Sequence, residues 1–252
     1  MARQKGIIKI KGTLGDITFY KTKDGYMARE KGGVDAKRIS SDPAFQRTRE
    51  NGAEFGRAGK AGKLLRTALR PLFMNSADSR MVGRLTQRML KVIQTDHVSE
   101  RGERIVENGN IELLLGFEFN IRGKLSTTLF TSYTSSVNRT TGELKVEFEP
   151  FVPLSMITAP SGTTHFKILS GAAEVDFTGE TFVLASSESG VLPWNMTSTS
   201  ALNLVNTISE ESELPLFLVL GLEFYQEING EMYPLKNGAY NPLSLIKVDN
   251  VV

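Results

Sequence analysis

Cysteine is absent from the 252 residues, which excludes disulfides, thiolate chemistry and cysteine-based zinc sites. Histidine occurs only at His97 and His165, far apart and outside any metal-ligand spacing, so both read as structural and no metal site is expected. Long apolar runs are missing too. The longest, Leu216 to Leu222, is one strand long, far short of the roughly 18 residues of a spanning helix. The segment Met1 to Ile8 is basic but has no apolar stretch of signal-peptide length. No membrane span is therefore expected, and the chain reads as cytoplasmic when synthesised. A G-x-S-x-G elbow, a P-loop and a dinucleotide fingerprint are lacking; Gly56 to Lys63 has the composition of a phosphate loop without its spacing or its preceding strand. No catalytic or cofactor-binding residue can be named, no cofactor is expected, and the chain does not read as an enzyme.

What is present is a split of charge hidden under a net +2. Residues 1–100 carry 21 Lys and Arg against 10 Asp and Glu, a formal +11, and residues 101–252 carry 9 against 18, a formal −9. Such asymmetry calls for an anionic partner of one half, or makes the two halves of neighbouring molecules each other's partners. A duller alternative is that basic helices pack on an acidic sheet within one molecule.

The pattern along the chain predicts an α+β protein of two domains. Residues 1–100 form a basic β-meander plus a helical region, and residues 101–252 an acidic antiparallel β-sandwich. In residues 5–30, Ile8 and Ile10 alternate with Lys9 and Lys11, Ile17 and Phe19 alternate with Thr18 and Tyr20, and Asp24-Gly25 signals a hairpin. Three short strands cannot bury their apolar row on themselves, so another surface must cover it. Lys9, Lys11, Lys21 and Lys23 lie on the outward rows, as anion contacts or as edge protection. A polar link, Lys31 to Ser40, leads to Ser41-Asp42-Pro43, an acidic N-cap with proline at the first helical position.

The helix that follows is expected over 43–69 and carries Gly52, Gly56, Gly59 and Gly62. Each costs roughly 1 kcal/mol against alanine. This predicts a small-residue surface for close packing, on which leucine at Gly56 or Gly59 would clash; the alternative is a break near Asn51-Gly52. A second helix, from Ser76 or Asp78 to about Gln94, places Met81, Leu85, Met89 and Val92 on one stripe and Arg80, Arg84, Arg88 and Lys91 beside it. Arg47, Arg57, Lys60 and Lys63 add charge on the first helix, so two basic helices form an electrostatic footprint.

Beyond Ile105, short strand-like runs separated by turn signals suggest a two-sheet sandwich. They fall at 111–120, 124–133, 144–151, 164–169, 173–177, 181–185, 202–208, 216–225, 231–235 and 243–248. Leu113 to Phe119 and Leu218 to Phe224 share five of seven positions, either as a duplication or as two core strands bent at a glycine. Trp194, the single tryptophan, reads as a cap on the sandwich core or as a contact residue.

Three segments, Gly12 to Lys21, Asp42 to Asn51 and Gly162 to Phe166, resemble a group of proteins of Bacteroidota with no assigned activity. These share the order of basic meander, arginine-rich helix and β-rich remainder. The resemblance implies a bacterial or bacteriophage origin and brings no site residues. The leading expectation is a structural, self-assembling subunit of a filament, tube or phage-like particle, partnered by itself through head-to-tail contacts. Nucleic-acid binding through the basic region is the alternative, and a carbohydrate-binding or enzymatic sandwich stands behind both.

Overall fold

The computed structural model describes residues 1–30, 32–73 and 78–250. The start of the second helix at Ser76, one of the two expected, lies outside them. The fold is α+β, in two compact units that divide between Glu50 and Asn51. The boundary expected at 100 falls inside the second unit, because the helices share a core with the sheets.

The first unit is a four-stranded antiparallel sheet: β1 (Ala2–Arg3), β2 (Gly12–Leu14), β3 (Ile17–Thr22) and β4 (Gly25–Glu30), in the order β1-β4-β3-β2. The hairpin closes at Asp24-Gly25 with Gly25 at φ +116°, a conformation natural to glycine. Ile8 and Ile10 are not in a strand. Their segment is a loop tied by Gln4, whose Nε2 donates to the Ile10 carbonyl at 3.2 Å and whose Oε1 accepts from the Ile10 amide at 2.9 Å. The link includes a short helix, α1 (Ala36–Ser41), capped by Asp35. Asp42 caps the next turn as expected, accepting from the Ala44 amide at 2.9 Å over the 3-10 turn Pro43–Phe45.

The helix α2 (Gln46–Ala68) runs without a break at Gly52, followed by α3 (Arg70–Phe73) and α4 (Met81–Gln94). Of the two sheets in the second unit, one has three strands: β5 (Tyr133–Asn138), β6 (Glu143–Phe148) and, past the single turn α5 (Pro153–Met156), a later strand. The other has six: β7 (His165–Asp176), β8 (Thr181–Glu188), β9 (Leu192–Pro193), then β11 (Leu216–Ile228), β12 (Glu231–Pro234) and β13 (Leu243–Asp249). The third strand of the small sheet is β10 (Leu202–Thr207), at the edge of β6. All pairings are antiparallel, and the sheets curl towards each other where Ser187 of β8 donates to Asn206 of β10 at 3.2 Å.

The 13-residue β11 carries the architecture. Its even residues, Leu216 to Phe224, bury against the three-stranded sheet with Leu144, Val146, Phe148 and Leu204. Its odd residues Phe217 and Val219 join Leu65, Leu69, Leu85, Met89 and Val92 of the helices. A strand buried on both faces reads as an unbroken apolar run rather than an alternation. Each such side chain contributes about 1.5–3 kcal/mol by leaving water. Trp194 packs against the small-sheet core, its Nε1 donating to the Ile157 carbonyl at 3.2 Å.

Four expected strands come out differently. Residues 164–169 and 173–177 form one strand, β7, because Gly171 is not a break but a close approach: a Cβ there would stand 2.2 Å from Leu72 Cδ1. Residues 111–120 hold a 3-10 turn, Ile111–Leu114, and only one bridge, Glu118 with Ser244. The Asn110 side chain caps that turn and Gly116, at φ +73°, reverses the chain. Residues 124–133 begin with another 3-10 turn, Leu125–Thr127. The likeness of Leu113–Phe119 to β11 therefore does not extend to conformation.

Candidate functional site

The expected cations of the first unit serve partly local ends. Lys9 donates to the carbonyls of Gln4 and Gly6 at 2.6 and 2.7 Å, and so closes its own loop. Lys21 lies 5.6 Å from the centre of the Tyr26 ring. Arg47 pairs with Glu50 at 2.8 Å. Lys11 and Lys23 are exposed. Among the described residues of 1–50 none is buried, although Ile7, Ile8, Leu14 and Ile17 are large and apolar.

In the second unit the basic residues do not make one face. Arg57, Lys60 and Lys63 of α2 line a groove of about 570 Å³ with Leu64, Phe177 and Phe182. Arg57 is already spent there, donating to the Gly102 carbonyl at 2.6 Å. Glu107 and Glu180 stand on the same groove, so its charge is nearly balanced.

The second groove, about 410 Å³, collects Arg84, Arg88 and Lys91 of α4 with Lys124 from a distant loop, and Glu118 is its one acid. Arg80, exposed at the start of α4, does not line it. Arg84 is fixed as a wall: it donates to the Glu118 carbonyl at 2.7 Å and to Asp78 at 2.6 Å, and its guanidinium lies 5.1 Å from the Phe117 ring centre. Burial pushes the Glu118 carboxyl above its ordinary range, although the Leu125 and Ser126 amides donate to it. Lys124 and Glu118 carry no sequence signal, since only a chain reversal some 30 residues away brings them to α4.

Of the four helical glycines only Gly62 faces another element, with Leu85 and Met89 side chains 3.6 and 3.7 Å from the place of a Cβ. Among the described residues, a Cβ on Gly52, Gly56 or Gly59 would meet nothing within 4 Å. Within this chain the expected close-packing surface is confined to Gly62.

The helix–sheet contact is apolar, formed by Leu169, Ala173, Val175, Phe217 and Leu245, so it does not neutralise the charge split. Charge is buried instead at Glu54, which sequence reasoning missed. Arg104 donates to both its oxygens at 2.7 and 2.8 Å, and the Gly102 amide adds a third bond at 2.8 Å. The Arg104 hydrogen bonds, against burial, hold the Glu54 carboxyl below the usual range.

A polar cluster lies on the open end of the six-stranded sheet. Lys167 reaches Glu188 at 2.8 Å and Glu223 at 3.0 Å, and Tyr225 donates to Glu223 at 2.6 Å. Burial opposes the Lys167 charge, but the two glutamates raise its pKa well above the ordinary lysine value. The cluster is internally satisfied. His165 contacts Thr164 at 3.0 Å and Glu227 at 3.8 Å. Among the described residues no group of three or more His, Asp or Glu side chains is placed to hold a metal ion, and no helix is long and apolar enough to cross a membrane. No protein-family model matches the chain, and neither a curated protein nor a solved structure matches it.

Proposed function

We propose that the protein is a self-assembling structural subunit, its basic N-terminal unit and acidic surfaces meeting in head-to-tail contacts between copies. The observation that carries this reading is the first unit itself. Four short strands and a helical turn are folded without one buried residue among those described, while Ile7, Ile8, Leu14 and Ile17 face solvent. A small sheet needs an apolar surface to rest on for stability. Residues 1–50 also carry 12 Lys and Arg against 6 Asp and Glu, which suits an acidic neighbour. Contacts between unlike surfaces of identical subunits produce rings or open filaments.

Size-exclusion chromatography with light scattering, joined to negative-stain microscopy at low and high salt, tests the reading. Regular particles should form at low salt and loosen as the Debye length shrinks from about 10 Å at 0.1 M to about 3 Å at 1 M. A clean 27.8 kDa monomer at high concentration overturns it.

The cations of the α4 groove favour a second reading, phosphate-backbone binding. On that reading the affinity for a nucleic acid falls steeply with salt. Oligonucleotide binding by a monomer that forms no particles is the result that would put this reading first.

A further inference from the structure

We propose that the α4 groove receives the Glu210–Glu213 loop of a second copy. The proposal rests on the assembly reading and adds to the contact of the first unit a second one, between surfaces of the second unit.

The groove offers three cations for the purpose. Arg88, Lys91 and Lys124 are exposed and make no ion pair among the described residues, while Arg84 is held as the wall behind them. The loop between β10 and β11 offers three carboxylates. Glu210, Glu211 and Glu213 are exposed and likewise have no ion pair among the described residues.

This loop is built to stay in place. Arg139 donates to the Ser212 carbonyl at 2.6 Å and to the Leu214 carbonyl at 3.0 Å, and its own carbonyl accepts from the Glu211 amide at 2.7 Å. Asp249 holds the same guanidinium at 2.5 Å. Glu211 sits at φ +51°, a conformation that costs a non-glycine residue free energy and persists only where its surroundings impose it. At Gly142 a Cβ would stand 2.5 Å from the Ile208 carbonyl oxygen, so the turn below the loop is equally tight. A charged loop fixed in one shape loses little entropy on docking.

The loop does not meet its own groove. It enters β11 at Leu216, whereas the groove is anchored where Glu118 bridges Ser244, which pairs with Leu220. Four residues of strand, about 13 Å, separate the two along the sheet. Both surfaces therefore stay open for a neighbour, and a groove that takes another copy's loop leaves its own loop free to continue the chain.

A charge swap tests the contact. Arg88→Glu/Lys91→Glu and Glu210→Lys/Glu213→Lys are prepared separately, with circular dichroism and thermal melting as checks on the fold. Light scattering should show that each alone needs at least a tenfold higher concentration than wild type to assemble. An equimolar mixture should recover, because every groove again meets a loop of opposite sign. Arg88→Ala/Lys91→Ala provides a milder variant should the reversals perturb folding, and it should weaken assembly in the same direction. Variants that assemble like wild type, or a mixture that fails to recover, overturn the contact while leaving the assembly reading standing. A wild type that is monomeric throughout removes both. Binding of a 12-nucleotide DNA lost in the groove variant, with assembly unchanged, would give the groove to phosphate instead.

Discussion

The open glycines of α2 permit a test in which the sign of the effect decides the matter. Gly56 and Gly59 lie inside a regular helix, and a methyl group on either would meet no atom of the described residues within 4 Å. Alanine there removes backbone freedom from the unfolded chain without a clash, and each substitution should stabilise the helix by about 1 kcal/mol. Gly56→Ala/Gly59→Ala together should thus contribute about 2 kcal/mol, which for a unit of this size raises Tm by roughly 4–8 °C. Gly62→Leu provides the contrast. Its side chain must enter the contact with Leu85 and Met89, where overpacking costs about 1–3 kcal/mol. Melting should be followed by circular dichroism under conditions where the protein is monomeric. A fall in Tm for the double alanine variant would refute the open face. A rise in monomer Tm combined with weaker assembly would place a neighbouring copy against that face.

Three further outcomes are expected. Deleting residues 1–34 should leave the Tm of the second unit unchanged, since no described residue of the first unit is buried, and should abolish particles in stained images; a much lower Tm would mean that the segment packs on its own chain. Arg104→Leu strands the buried Glu54 carboxylate and should cost about 3–5 kcal/mol in urea unfolding, while Glu54→Leu/Arg104→Leu should cost less, because no lone charge stays behind. Asp96 supplies a pH effect. Burial works to raise its carboxyl, but the Ser99, Ile105 and Val98 amides outweigh it and hold the pKa far below the ordinary value. The unfolded chain then takes up the proton first, so this stabilisation is complete above the ordinary carboxylate range and is lost as pH falls from about 5. Asp96→Asn should flatten that acid limb of a stability profile, and an unchanged limb would exclude Asp96 as its source.

The parts of the fold that were legible in the sequence are those where local chemistry and tertiary burial agree. Asp42-Pro43 and Asp24-Gly25 encode a cap and a hairpin in two residues each. The stripe Met81, Leu85, Met89 and Val92 repeats at helical spacing and is buried as a stripe. Where a short apolar run lacks periodicity, the reading fails for a physical reason. Leu113-Leu114-Leu115 could serve equally as a buried strand or as a plug, and the Asn110 cap with the positive φ of Gly116 makes Ile111–Leu114 a turn between α4 and β13 that buries Leu114 and leaves Leu115 exposed. The strand β5 escaped because Tyr-Thr-Ser-Ser-Val-Asn has too few apolar residues to announce itself. Its neighbour β6 was legible through Leu144, Val146 and Phe148, all buried. The candidate site divides in the same way: helical spacing brought Arg84, Arg88 and Lys91 together, and only the tertiary fold could add Lys124 and Glu118.

The charge split was visible from the outset, but its use depends on where the helices put their charged sides. Had the basic helices lain on an acidic sheet, +11 and −9 would have met inside the molecule, and the asymmetry would have explained only stability. The helix–sheet layer is instead apolar on both sides, from Leu65, Leu85 and Met89 to Phe217, Val219 and Leu245. Cations on the far sides of α2 and α4 open to two grooves, one nearly balanced by Glu107 and Glu180 and one not. The unbalanced groove and the glutamates of the β10–β11 loop are thus among the charges that the ion pairs of the described residues leave over. Charges left over in matched number on two separate rigid surfaces attract most strongly when each faces a copy of the other. This is why the split argues for association between molecules rather than for the stability of one.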